Sequence, residues 1–474
     1  MTLAAAALTA GACDRPARND PTVVSAWMQA LYGTVRVERV SPPVGSRFVA
    51  YAATALYSGF AVTDSSLKPL SAILSGFPAL PAAESGQRYD GNVIAVSAER
   101  TVLDSLLREA LPTTQAQINR LADSLTGAQH TGDDVRRRSI ALGRDIGLRI
   151  VSWAHGDGFD STRTMRYSIP KGPGLWINDS PANWFSTKSV SGASVDIDLD
   201  NPNQELRPTN RGDRDLILNR PKTKGGGTLP AVNMAGVTEP YWGTLRPFAI
   251  ERWDACPIDP APTFGTTPDA PLYQEAKVVH DTRVALTPEQ KEIALYWADN
   301  PSESATPSGH WTAIASQLVS QRGLSGADAV RATTITAVAV ADAFISAWGY
   351  KFRVNLIRPR TYIRAVIDST WEPFLPTPPF PEFIAGHSTV SASAATALTD
   401  LLGTFPFDDS TSMVIGHKPR HFASLLGAAQ EAAQSRVYGG MHYPAGSAVG
   451  AKLGRCLGNA VAKRFGLAPA TDAK

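Results

Sequence analysis

Between residues 23 and 153 the apolar positions recur at helical spacing: Trp27 with Leu31, Phe48 with Ala52 and Leu56, Val102 with Leu106 and Leu107, Ile140 with Leu142, Ile146 and Ile150. Positions three and four apart share one helix face, and the Pro, Gly and Asp residues between these runs are start and stop signals. The pattern predicts a packed helical bundle over residues 21–155. From about His155 to Ala270 the periodicity is lost, and Gly, Pro, Asn and Asp surround scattered Trp176, Trp184, Trp242 and Trp253. That texture predicts long ordered loops with a few short strands over 156–270. The glycines 225–227 have no Gly-Lys-Ser/Thr after them and no strand-turn-helix around them, so they read as a turn and not as a phosphate loop.

Helical patterns resume at about Leu272, with candidates near 287–299, 308–323, 326–351, 388–402, 421–436 and 444–465. In the last of these, Gly446, Gly450, Gly454 and Gly458 recur every four residues and leave a stripe on which another helix can approach closely. Lys452 and Arg455 interrupt the segment, which favours packing inside a soluble bundle over pairing in a membrane. The expectation is an all-α protein of two helical bundles, 21–155 and 271–474, joined by a long loop-rich insertion, with a signal-like or disordered start over 1–20.

Composition narrows the function. At 474 residues the chain is long enough for a large core, and 43% hydrophobic with 19% charged residues excludes a mainly disordered or coiled-coil protein. A net charge of +2 without a long basic run offers no footprint for nucleic acid or an anionic membrane, so any anion must be held by a local cluster. The most apolar stretch, 332–349, contains Asp342 and several Thr and Ser, and is expected as a buried helix with no transmembrane segment in the chain. Cys13, Cys256 and Cys456 make neither a disulfide framework nor a zinc spacing, and a 256–456 bridge stays open. The start MTLAAAALTAGAC reads like the tail of a lipoprotein or secretory signal, without Lys or Arg at its beginning, and the expectation is an exported protein.

Three segments carry the candidate chemistry. In the first, Lys351 and Arg358 are seven residues apart; on a continuing helix they share one face about 10 Å apart along the axis, close enough for both side chains to reach one anion. Pro359 ends that helix at Arg358. In the second, Gly386 permits close backbone approach, Ser388 is the expected cap of the following helix, and the helix start offers free N–H groups to an anion with His387 at its rim. In the third, Arg436 closes a helix, glycines 439 and 440 turn the chain, and His442 sits before Pro444 in the turn between two helices. Each segment alone has a bland reading as a helix end. All three in order within about 90 residues, each bringing a cation, an N–H donor or an imidazole, point to an oxyanion pocket.

The set Lys351-x6-Arg358-Pro359, Gly386-His387 and Ser435-Arg436-x5-His442 resembles the vanadium-dependent haloperoxidases, whose site is shared with the type 2 phosphatidic acid phosphatases. The resemblance extends over most of the chain, through SWAHGDGF at 152–159, EPYWGTLRPFAI at 239–250, YWADNPSESATPSGHW at 296–311 and ADAFISAWGYKF at 341–352. It implies vanadate as cofactor, with phosphate able to take the same place. Lys351, Arg358 and Arg436 would neutralise its equatorial oxygens, Gly386 would donate its N–H, His442 would be the apical ligand of the metal and His387 the acid/base. Trp348 and Phe380 would wall a halide pocket of the chloroperoxidase-like kind. His310 reads as structural. Two positions depart from the family pattern: Ala385 stands where a serine precedes Gly-His, and Gly446 where an Asp follows the last histidine, leaving Asp342 or Glu431 to orient His442.

The resemblance implies an enzyme that activates hydrogen peroxide on vanadate to oxidise halide to a hypohalous acid equivalent, with a small organic acceptor as a further partner. A homodimer is compatible with the sequence. The alternatives are an acid phosphatase with His442 as nucleophile and His387 as proton donor, and a non-catalytic oxyanion-binding protein.

Overall fold

The computed structural model describes residues 19–180, 237–301 and 303–469. The start of the chain up to residue 18, Trp184 and the 225–227 turn lie outside the described residues. The first helices are α1 (Pro21–Val37), α2 (Pro42–Ala61), α3 (Gly91–Leu106), α4 (Pro112–Gly127) and α5 (Asp133–His155). Their starts follow from side-chain caps and prolines: Asp20 accepts from the Thr22 N–H, Asp90 from Asn92 and Val93, and α1, α2 and α4 carry Pro in the first turn. α3 lies against both α2 and α5.

After residue 270 come α6 (Pro271–Val284), α7 (Pro288–Tyr296), α8 (Thr306–Gln321), α9 (Gly326–Val354), α10 (Pro359–Val366), α11 (Gly386–Leu402), α12 (Leu425–Tyr438) and α13 (Pro444–Arg464). The apolar run 332–349 is the middle of α9, a helix long and apolar enough to cross a membrane, whose apolar 18-residue window is 94% buried by the rest of the protein. α9 packs on α1, α2, α8, α11 and α13, so a single apolar core runs from the first helices to the last. Two features depart from the sequence expectation. α10 is an added short helix, and residues 421 and 422, expected to begin a helix, belong to a strand β2 (Arg420–Phe422) antiparallel to β1 (Phe407–Asp409). The Phe407 and Phe422 rings bury together at 5.6 Å between centroids, and Ser424 then caps α12.

The described parts of 156–270 contain only a helical turn, Phe159–Thr162, and a 3-10 turn, Trp242–Thr244. They are held by buried polar groups. Arg47 of α2 pairs with Asp157 at 2.6 Å, and Asp342 of α9 accepts the N–H groups of Phe248, Ala249 and Ile250 at 2.6, 2.8 and 3.0 Å. Burial still pushes the Asp342 carboxyl up to about 6 against those three bonds. A disulfide joins Cys256 to Cys456 of α13 across a separation of 200 residues.

The glycine stripe of α13 faces α11. A Cβ at Gly450 would lie 2.8 Å from the Ala385 carbonyl oxygen, and one at Gly458 2.6 Å from that of Ser393, while Gly454 touches the Thr389 carbonyl. The absence of side chains there brings α13 against the backbone of the helix that begins with Gly386.

Candidate active site

The first segment differs from its expectation. α9 ends at Val354, and Asn355 takes the left-handed conformation (φ 52°), returning its N–H to the Lys351 carbonyl at 2.8 Å. Asn tolerates that geometry. Arg358 has extended backbone and caps α10, so Lys351 and Arg358 do not share a helix face. They converge on residues 380–382: Lys351 Nζ donates to the Pro381 and Glu382 carbonyls at 3.0 and 2.9 Å, and Arg358 Nε to the Phe380 carbonyl at 2.8 Å.

In the second segment α11 starts at Gly386 with Ala385 as its N-cap, and no side chain caps it. Ser388, expected as the cap, lies inside the first turn with its buried Oγ unpaired. Gly386 leaves room for the Trp348 ring, which a Cβ there would crowd at 3.2 Å. In the third, Arg436 lies in the last turn of α12, two residues before its end, with Nη1 on the Trp297 carbonyl. His442 occupies the turn before α13, which begins with Pro444.

Gly386, His387, Arg436, His442, Trp348 and Phe380 line one narrow cavity of about 30 Å³. Lys351, Arg358 and Ala385 stand behind that lining. Arg358 Nη1 lies 3.2 Å from His442 Nε2, and the Trp348 and Phe380 rings pack at 4.9 Å with Lys351 Nζ 5.1 Å from the Phe380 centroid. All three cations are buried. Burial, and then Arg358, holds Lys351 well below the usual lysine range, and burial brings Arg358 and Arg436 down to about 10. His442 is held well below the usual imidazole range by burial and then by Arg358; His387 likewise, by burial and Arg436, although its 18% exposed side chain moderates this. Both imidazoles are therefore neutral near pH 7.

Two carboxylates that sequence reasoning missed complete the site. Glu382 Oε1 lies 2.8 Å from His442 Nδ1 and accepts the Tyr443 N–H at 3.0 Å. Neither suggested residue orients His442: Asp342 holds residues 248–250, and Glu431 takes the Trp297 indole N–H and Arg420. Arg358 can only donate, so Nε2 of His442 accepts from it and the ring proton sits on Nδ1, toward Glu382. Asp299 stands 3.6 Å from His387 Nε2, with its other oxygen 2.9 Å from His310 Nδ1; His310 Nε2 is in turn 2.9 Å from Asp409. His310 is thus one group removed from the cavity, which Asp299 lines, and is stacked on Trp297.

The residues fit an oxyanion. Three buried cations face two carboxylates, and Arg358 Nη2, Arg436 Nε and His387 Nε2 are buried nitrogens with no partner in the protein. The two guanidinium N–H groups among them, Arg358 Nη2 and Arg436 Nε, require acceptors, and the oxygens of vanadate or phosphate beside the α11 N-terminus supply them.

The chain is similar to proteins of known family and structure. A family model described as the VCPO second helical-bundle domain matches residues 366–467. Among solved structures, a bacterial vanadium-dependent iodoperoxidase is 31% identical, aligns over 97% of this chain and 100% of its own, and superposes with a TM-score of 0.78. Holo-type and apo-type structures of bacterial vanadium-dependent chloroperoxidase are 15% and 14% identical, covering 96% and 89% of this chain and 99% and 92% of theirs, with TM-scores of 0.65 and 0.62; they share the fold. No curated protein matches the chain.

Proposed function

The chain belongs to the vanadium-dependent haloperoxidase family, and from that membership we propose that it oxidises halide, iodide first, with hydrogen peroxide at a vanadate held in the cavity beside His442. The observation that carries this is the pair of buried guanidinium N–H groups without a hydrogen-bond partner, Arg358 Nη2 and Arg436 Nε, in a site where the Nε2 of a neutral His442 lies 3.2 Å from Arg358 Nη1. When bound, vanadate supplies a Lewis-acidic centre that activates peroxide toward a nucleophilic halide. His442 Nε2 would hold it, with Lys351, Arg358 and Arg436 offsetting its charge and the Gly386 N–H donating to it.

His387, more exposed than His442, would take the proton from incoming peroxide and return it to the departing oxygen. Trp348 and Phe380 would form the apolar wall along which halide enters. The halide loses two electrons, peroxide is reduced to water, and the product is a hypohalous acid equivalent. Iodide is named because it is the most easily oxidised of the three halides and because the 31% identical relative is an iodoperoxidase. The Cys256–Cys456 bridge supports an exported protein, since such bonds persist in oxidising compartments.

The test is oxidation of iodide, bromide and chloride by purified protein with and without orthovanadate, alongside hydrolysis of p-nitrophenyl phosphate. Iodide oxidation that appears with vanadate and is competitively suppressed by phosphate is expected. Efficient ester hydrolysis that vanadate merely inhibits, with no halide oxidised between about pH 5 and 8 where a histidine titrates, would show a phosphatase instead.

A further inference from the structure

Glu382 makes one set of contacts that no other residue of the site makes. Its carboxylate holds His442 and the Tyr443 N–H, its carbonyl accepts Lys351 Nζ, and its N–H donates to the carbonyl of Leu356, in the turn between Lys351 and Arg358, at 3.0 Å. The side chain is fully buried. The space it fills is the space a residue at 446 would need. A Cβ on Gly446 would stand 3.1 Å from Glu382 Cδ and Oε2 and closer still to Oε1. Gly446 lies in the first turn of α13, four residues after His442, and its carbonyl accepts the Ala385 N–H at 3.0 Å.

We propose that Glu382 is the positioning residue of His442, and that positions 382 and 446 are alternative, mutually exclusive sources of one carboxylate beside Nδ1. By accepting the Nδ1 proton, that carboxylate fixes the ring tautomer and plane so that the Nε2 lone pair is presented to the oxyanion. A side chain at 446 collides with the Glu382 carboxylate, and a carboxylate carried at 446 reaches the same place once Glu382 is truncated. The glycine at 446 is therefore the counterpart of the glutamate at 382, and not a site stripped of its acid.

This rests on His442 binding an oxyanion, and the experiment keeps the two ideas apart by measuring binding as well as turnover. Vanadate and inorganic phosphate dissociation constants are measured by calorimetry for the wild type, Glu382→Ala, Gly446→Asp and Glu382→Ala/Gly446→Asp, with melting curves to establish folding. Each single variant is expected to bind both anions at least about tenfold more weakly, the usual scale for losing a ligand's supporting carboxylate. The double variant is expected within about threefold of wild type. Wild-type affinity in Glu382→Ala, a neutral Gly446→Asp, or a folded double variant no better than Glu382→Ala would overturn the proposal.

If truncation prevents folding, the near-isosteric Glu382→Gln takes its place, read by nitrogen-15 NMR of labelled histidine. Wild-type His442 is expected as the single Nδ1–H tautomer, and Glu382→Gln as a mixture with weaker anion binding. An unchanged tautomer with unchanged affinity counts against the assignment. Failure of halide oxidation with the binding cycle intact would strike only the haloperoxidase reading.

Discussion

The two histidines that meet in the cavity are supported in different ways. His442 is 3% exposed and has a direct 2.8 Å bond to one carboxylate. His387 is 18% exposed, and its carboxylate, Asp299, stands off at 3.6 Å while bonded to a second imidazole, His310, that is bonded to a second carboxylate, Asp409. Burial works against a charge on His310, but Asp299 and Asp409 outweigh it and push the imidazole up to about 10. His310 is thus an imidazolium that takes up much of the Asp299 charge. One side of the cavity locks a lone pair in place; the other leaves a neutral imidazole at the opening, with its carboxylate already engaged. The first suits a ligand and the second a group that must gain and lose protons.

The most severe way to break this contrast is His442→Ala. Vanadate-dependent halide oxidation and any phosphatase side activity are both expected to vanish, since in the proposed reading each uses a bond from Nε2 to the central atom, and substantial residual turnover of either would show that the two reactions do not share this histidine. His387→Ala should be milder and different in kind. Removing an acid/base lowers kcat by about 10²–10⁴-fold, while calorimetric vanadate affinity should stay within a few-fold of wild type; a collapse of affinity would make His387 a ligand group instead.

His310→Gln probes the relay behind His387 through pH. The folded value of about 10 lies above the ordinary imidazole value of 6.5, so charged His310 contributes stability that is fully present below about pH 6.5 and is lost as pH rises toward 10. The wild-type melting temperature should fall across that window, and His310→Gln, lower at neutral pH, should fall less. Parallel melting curves for the two proteins would remove His310 from the account. The smallest effect expected is that of Ala385→Ser. A hydroxyl at the N-cap of α11 can bond the anion, which corresponds to tighter vanadate binding by about tenfold, the lower end for a bond to a charged group; unchanged affinity in a vanadate titration would place residue 385 outside the anion's reach.

What the sequence made legible was local. Lys351, Arg358, Gly386, His387, Arg436 and His442 announce themselves because each stands in a short run with its own turn or helix signal. The supporting groups are paired across long separations, 60 residues for Glu382 with His442 and 99 for His310 with Asp409, and no local pattern encodes such a pair. Two signals were nevertheless available. A lone Glu382 among the apolar and small residues 381–386 has to be buried with a partner, and Asn355 after a long helix marks an end at which Asn tolerates positive φ. The bundle architecture followed from helical periodicity, whereas three-residue strands such as β1 and β2 are too short to show an alternation of their own.

The glycine stripe of α13 also acts as a ruler. Because Gly450, Gly454 and Gly458 rest on backbone atoms of α11 or next to them, the two helices have one allowed register, and a slip of a single turn would displace α13 by about 5.4 Å. His387 is carried at the head of α11 and His442 just ahead of α13. Their separation is therefore braced by the direct contact of two rods as well as by the hairpin and helix that intervene in the chain, and a methyl group on the stripe at Gly454 would push those rods apart.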